Sequence, residues 1–199
     1  KLQLYSSFAK KNIMKHSWIK IFSLFLILFS AGSLTSIQAA NELPELMEYE
    51  DTKLTLNGQG TRVMFFVKIY ESGLYLSSKN SNAEEVINDN SAMGIRLDVI
   101  SSMLTADAMK KAIDEGFVKS TKDNTEPITD QISQFMATLH QAIEVGDVYE
   151  FIYLPESGVD VLRNSELLDT IAGLEFKKAF FGIWLSDNPV QKSLKKAML

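Results

Sequence analysis

The sequence predicts an α+β fold in which helices pack on an antiparallel sheet, and three observations carry that reading. Elements come in blocks: strand patterns, helices, strand patterns again from Val148, then helices to the end. Arg62 to Leu76 is dense in aromatic and branched residues that alternate with polar ones, a period of two. Ile128, Ile132, Phe135, Met136, Leu139 and Ile143 recur instead at helical spacing. No repeat, low-complexity run or linker divides the chain, and about 160 residues outside its N-terminal segment is the size of one domain.

The first forty residues read as separate from that domain. Lys10, Lys11, Lys15 and Lys20 precede the apolar run Ile21 to Phe29, and small residues around Ala39-Ala40 offer a cleavage point. A basic start, a short apolar stretch and a small-residue exit describe a secretory signal from Met14 to about Ala39 or Ala40, with residues 1–13 as upstream sequence. The apolar run is short for a membrane span, and an uncleaved anchor is the rival reading. The expected product is a domain over residues 41–199, periplasmic or secreted, with no stable membrane anchor after cleavage. The chain has no cysteine, which removes disulfides, thiolate chemistry and attachment of lipid to cysteine.

Charge separates the same two parts. Five of the 20 basic residues and none of the 25 acidic ones lie in the first forty, so the remainder carries fifteen cations against 25 anions, a net of −10. Such a surface repels phosphate backbones, which argues against nucleic-acid partners. It also disfavours docking on anionic lipid.

Within the domain, residues 41–51 form an acidic lead-in with room for a short strand, and Lys53–Leu56 is a strand. Asn57-Gly58-Gln59-Gly60 carries turn chemistry. Arg62–Leu76 follows as one long strand, with Val63, Phe65, Val67 and Ile69 on an apolar core face. Arg62, Met64, Phe66, Lys68 and Tyr70 lie on the other, mixed face. Ala83–Asn88 is a short helix and Gly94–Ile100 a strand. Thr105 caps a helix to about Lys119 whose inner stripe is Met109, Ile113, Gly116 and Phe117. A second amphipathic helix begins near Thr125-Glu126-Pro127 and ends near Gly146. Val148–Leu154 and Val159–Leu162 are strands around the loop Pro155–Gly158, and Leu167–Ile171 adds a third. Leu174–Leu185 is a helix with Phe176, Ala179, Phe180, Ile183 and Trp184 inward, and Asn188-Pro189 opens a last helix.

Much chemistry is missing. Outside the signal the chain holds a single histidine, His140, too few for a histidine-rich zinc site, and no G-x-S-x-G elbow accompanies it. His140 reads as a helix-edge residue. Asp98, Asp107 and Asp114 lack calcium-loop spacing. No metal and no cofactor is expected. Lys110-Lys111, Lys177-Lys178 and Lys195-Lys196 read as solvated helix faces.

Three stretches resemble one family. They are Asn57-Gly58-Gln59-Gly60-Thr61-Arg62 with Phe65 through Leu76, Gly146-Asp147-Val148 with Tyr153-Leu154-Pro155, and Phe181 through Val190 with Leu194 to Ala197. Their order and spacing resemble the chalcone isomerase-like family, in its bacterial secreted branch, from about residue 45 onward. The resemblance implies an open-faced β-sandwich, a large antiparallel sheet covered by helices with a ligand cleft between. Members of that family divide by function: plant isomerases close a flavanone ring, related plant proteins bind fatty acids without catalysis, and bacterial members have no generally established role.

By the same resemblance, Arg62 is the arginine that polarises substrate in isomerases and holds a carboxylate in fatty-acid binders. A guanidinium suits both, being always charged and forked. Tyr70 matches the binders' tyrosine, and Lys68 lies about 7 Å from it along a strand. Met64 and Phe66 complete the expected ligand-binding set. Other isomerase positions do not carry over: Ala108 stands where isomerases place a tyrosine, Glu115 for an asparagine, and Ile183 for a threonine or serine.

The sequence therefore points to a non-catalytic binder of a small hydrophobic or carboxylate ligand, such as a fatty acid. The alternatives are an isomerase using Arg62 and Tyr70, or a structural or partner-binding envelope protein. On a straight strand Arg62 and Tyr70 would stand roughly 26 Å apart, so both can reach one carboxylate only if the chain folds back between them.

Overall fold

The computed structural model describes residues 42–199, which form a compact unit. The expected signal segment, residues 14–40, lies outside the described residues. Seven strands make one antiparallel sheet in simple sequence order: β1 (Leu46–Tyr49), β2 (Thr52–Met64), β3 (Val67–Leu76), β4 (Met93–Val99), β5 (Val148–Leu154), β6 (Gly158–Arg163) and β7 (Glu166–Ile171). Helix α1 (Ala83–Asn88) links β3 to β4. Helices α2 (Ala106–Ser120) and α3 (Thr129–Thr138) link β4 to β5, and α4 (Leu174–Leu185) and α5 (Lys192–Met198) follow β7. This is the expected α+β, open-faced architecture.

One face of the sheet and the helices above it share a large apolar core. Leu74, Ile95, Leu97, Phe151 and Val161 from the sheet meet Ile113, Phe117, Phe135, Phe176, Phe180 and Trp184 from α2, α3 and α4. The Phe180 ring lies 4.8 Å from Phe135, 4.9 Å from Phe151 and 5.4 Å from Trp184, centroid to centroid, tilted or edge-on as aromatic quadrupoles prefer. The opposite face carries only a small cluster of Met47, Leu54, Leu56, Tyr75, Ile152 and Leu162. The inner stripes expected for α2 and α4 are buried as read, and Thr105 Oγ1 caps α2 by accepting from the Ala108 N–H at 3.1 Å.

Three local readings are corrected. The first is the long strand. Asn57–Gly60 does not turn; it continues β2, and Asn57 forms a bulge from which its amide donates to Asn80 O at 3.0 Å and Met198 O at 2.8 Å. Gly58 and Gly60 are glycines because α5 lies on them. A Cβ on Gly58 would stand 2.5 Å from Ala197 O, and one on Gly60 would stand 2.8 Å from Ala197 Cβ.

The chain reverses instead at Phe65-Phe66, whose φ angles of 49° and 67° make the two-residue loop between β2 and β3. The proposed core face fails with the strand: Val63, Phe65 and Val67 are exposed, and only Ile69 is buried.

The second correction is the helix expected to reach Gly146. A 3₁₀ turn (Glu126–Ile128) leads into α3, which ends at Thr138. Residues beyond it are held by polar ties incompatible with a continuing helix. Arg163 Nη2 donates to Ala142 O at 2.6 Å, and Asp147 Oδ2 accepts from the Glu144 N–H at 2.7 Å. Arg163 and Asp147 themselves pair at 2.6 Å.

The third concerns Lys177, read as part of a solvated face. It is fully buried, and its Nζ donates to Val86 O at 3.1 Å, Ile87 O at 2.9 Å and Asp89 O at 2.6 Å, the orphan carbonyls at the end of α1. Lys195 is half-buried and caps α4 in the same manner, donating to Ser186 O at 3.0 Å.

Candidate functional site

The β2–β3 hairpin removes the 26 Å problem. Arg62 and Tyr70 are direct cross-strand partners, so their side chains leave the same stretch of sheet as a facing pair. The register then slips by one: Val63 pairs with Lys68, which leaves Ile69 as a bulge residue. The bulge breaks the alternation assumed for this strand. Ile69 and Tyr70 both enter the main core, while Lys68 is exposed and does not share the Tyr70 surroundings.

Tyr70 is 7% exposed, and its hydroxyl accepts from Trp184 Nε1 at 3.1 Å. Burial pushes the phenol above its ordinary pKa; the Trp184 N–H and the Arg62 charge pull the other way without reversing it. The group is therefore a neutral phenol at physiological pH, able to donate a hydrogen bond and not to act as a phenolate base.

Arg62 is half-buried at the rim. Its Nη1 donates to Val63 O at 3.0 Å and to Gln191 Oε1 at 3.0 Å. Gln191 precedes α5 and ties it to the hairpin, because Oε1 also accepts from the Val63 N–H at 2.9 Å while Nε2 donates to Thr61 O at 3.1 Å. Among the described residues no carboxylate pairs with Arg62. A guanidinium has five N–H donors in a fixed fork, so most of its capacity is available to an incoming anion.

The rest of the expected set divides. Met64 is half-buried against the main core. Phe66 is fully exposed at the hairpin tip, so it walls no cleft in this conformation. Trp184 and Gln191, the groups that orient Tyr70 and Arg62, were not singled out in the sequence as site residues. Trp184 is visible there only as an inward helix position, and nothing in the pattern marks Gln191.

The positions where this chain departs from isomerases can now be placed. Ala108 is half-buried near the start of α2, and Glu115 is exposed, so no buried carboxylate forms on that helix. Ile183 is buried and fills the seam between α4 and α2: a Cβ on Gly116 would meet Ile183 Cγ2 at 2.8 Å. His140 is exposed beyond α3, with Nδ1 3.1 Å from Ala137 O. Clefts open elsewhere on the domain. One of about 280 Å³ lies between α1, α2 and α4, lined by Ile87, Ser120, Ile128, Ala179, Gly182 and Ser186, and a second of about 520 Å³ borders α5. None of the five candidate residues lines either. Among the described residues no helix is long and apolar enough to cross a membrane, and no cluster of three ligating side chains could hold a metal.

Comparison with known proteins agrees with this architecture. No curated protein matches by sequence. Among solved structures, the fatty-acid binding protein of Arabidopsis thaliana is similar, with a TM-score of 0.61 over 78% of this chain and 90% of that one, at 12% identity. At that identity the likeness speaks for the fold. The sequence profile described as chalcone isomerase-like matches residues 36–199. The chain belongs to the chalcone isomerase-like family.

Proposed function

We propose that this protein is a non-catalytic binder of a small apolar anion, with a fatty acid as the first candidate. The observation that carries the reading is the Arg62–Tyr70 pair: a half-buried guanidinium with spare donors opposite a buried neutral phenol. Together they offer a charged fork and a hydroxyl to one carboxylate, with the oily core directly behind Tyr70. The structural likeness to a fatty-acid binding protein supports the same reading.

Several features weigh against isomerase chemistry. The phenol held above its usual pKa is no base, Lys68 is turned away, and the positions of Ala108, Glu115 and Ile183 supply no replacement group. In the closely packed aromatic interior an acyl chain needs space that the helices must open, and the Ile183–Gly116 seam between α4 and α2 is the proposed path. The same packing favours a second reading, a structural or partner-binding role. Export is proposed with the first reading, on the basic and apolar pattern of residues 14–40 alone.

Native mass spectrometry of the protein purified without detergent tests these readings together. A retained acid of fatty-acid mass, on a chain beginning near Asn41, is the expected result. A ligand-free protein that takes up no added fatty acid would leave the structural role standing.

A further inference from the structure

The tip of the β2–β3 hairpin has no role in holding a carboxylate, and its composition runs against its geometry. Phe65 is 81% and Phe66 102% exposed, and both adopt left-handed backbone angles. Two-residue loops of this kind favour Asn and Gly, and bulky residues at positive φ are strained. Val67, which follows the loop, and Val63, two residues before it, are exposed as well, while Met64 between Val63 and Phe65 is half-buried. The result is an apolar run of five residues, Val63-Met64-Phe65-Phe66-Val67, bracketed by Arg62 and Lys68, in which all but Met64 are exposed. No acidic residue interrupts this stretch in a domain whose net charge is −10.

We propose that this hairpin is a membrane-docking finger that inserts Phe65 and Phe66 into the interfacial zone of a phospholipid bilayer. The shape fits a fluid surface: two exposed rings project from a two-residue turn. Only about two residue rises, roughly 6–7 Å, separate Val63 from the turn, a depth within the range of about 5–10 Å to which interfacial apolar groups enter the headgroup and acyl boundary. Lys68, exposed at the base of the tip, reaches lipid phosphates while its neighbours remain in the apolar layer. The overall negative charge makes the attachment reversible and favours membranes of low anionic content. Docking of the finger does not depend on a ligand at Arg62.

The absence of cysteine permits a unique label. The full chain carrying Phe66→Cys with acrylodan is mixed with vesicles of phosphatidylcholine containing a minor fraction of phosphatidylglycerol, and compared with the same label at Glu156→Cys. Glu156 lies on the β5–β6 turn at the opposite end of the sheet. A blue shift at position 66 and none at 156 is expected, and it separates finger insertion from tethering by the apolar run at residues 21–29. In the unlabelled chain, Phe65→Ser with Phe66→Ser lowers the vesicle-bound fraction by about tenfold or more. Unchanged emission at position 66, or equal shifts at both positions, overturns the proposal. So does a wild-type dimer in solution that the serine pair dissolves without any vesicle binding.

Discussion

Two cations, one at each of two junctions in this molecule, show how burial and satisfaction decide what a charge is for. At the α1–α4 junction, Lys177 is sealed from water, and three backbone carbonyls take its three N–H donors. At the β2–β3 hairpin, Arg62 is half-buried and spends one nitrogen on Gln191 and the Val63 carbonyl. The first is saturated by the fold and holds a helix end. The second keeps unused directional donors beside a buried phenol, the condition for recognising an anion. Both are cations beside the same apolar core, and burial together with the number of vacant donors separates the one that the fold consumes from the one proposed to bind a ligand.

The largest effect should come from unpacking the core between these two junctions. Ile183→Ala leaves a cavity at the Gly116 seam and should cost about 2–4 kcal/mol in urea unfolding. It should also tighten fatty-acid binding, because the space an acyl chain must open is already present. A destabilised variant with unchanged affinity would place the acyl path elsewhere.

Lys177→Met should cost about 2–3 kcal/mol, since three buried carbonyls lose their donor. The same change at Arg62 should alter stability by no more than about 0.5 kcal/mol. Equal losses at the two positions would erase the distinction drawn here. Burial, which outweighs the attraction of Asp89, lowers the pKa of Lys177 to about 8 from 10.5. A lysine depressed in the folded state binds its proton more weakly there than in the unfolded chain. Its penalty is therefore fully present below about pH 8 and relieved as pH rises towards 10.5. Unfolding free energy of the wild type should include an upward contribution across that window, absent in Lys177→Met.

A smaller effect is expected at the hairpin. Phe65→Asn with Phe66→Gly gives the turn the residues its backbone angles favour and should stabilise the fold by about 1 kcal/mol, read as a rise in thermal midpoint. A loss of stability would mean that the two rings pack against the domain.

Sequence patterns revealed the helices and the later strands because each has a clear apolar period: β5 and α4 lie where the alternation and the helical stripe put them. The hairpin was hidden for a physical reason. Glycines at positions 58 and 60 signal turns when the sequence is read locally, yet they serve a close approach of α5 from the far end of the chain. Phe65-Phe66 carries no turn chemistry at all, and a continuous aromatic run looks like one strand. The candidate site suffered in the same way. Arg62 and Tyr70 were legible through the family resemblance, but their pairing depends on that concealed turn, and the Ile69 bulge that turns Lys68 outward leaves no mark in the pattern. Trp184 and Gln191 join the site only through tertiary contact. Lys177 looked solvated because a Lys-Lys pair on a helix usually is.

Matched calorimetric titrations of dodecanoic acid and dodecanol into the wild type and Arg62→Ala ask whether Arg62 recognises a carboxylate. Wild-type protein should prefer the acid, and Arg62→Ala should lose about 1.5–3 kcal/mol for the acid while its affinity for the alcohol hardly moves. Equal binding of acid and alcohol by the wild type, or an acid affinity untouched by the substitution, would contradict the account.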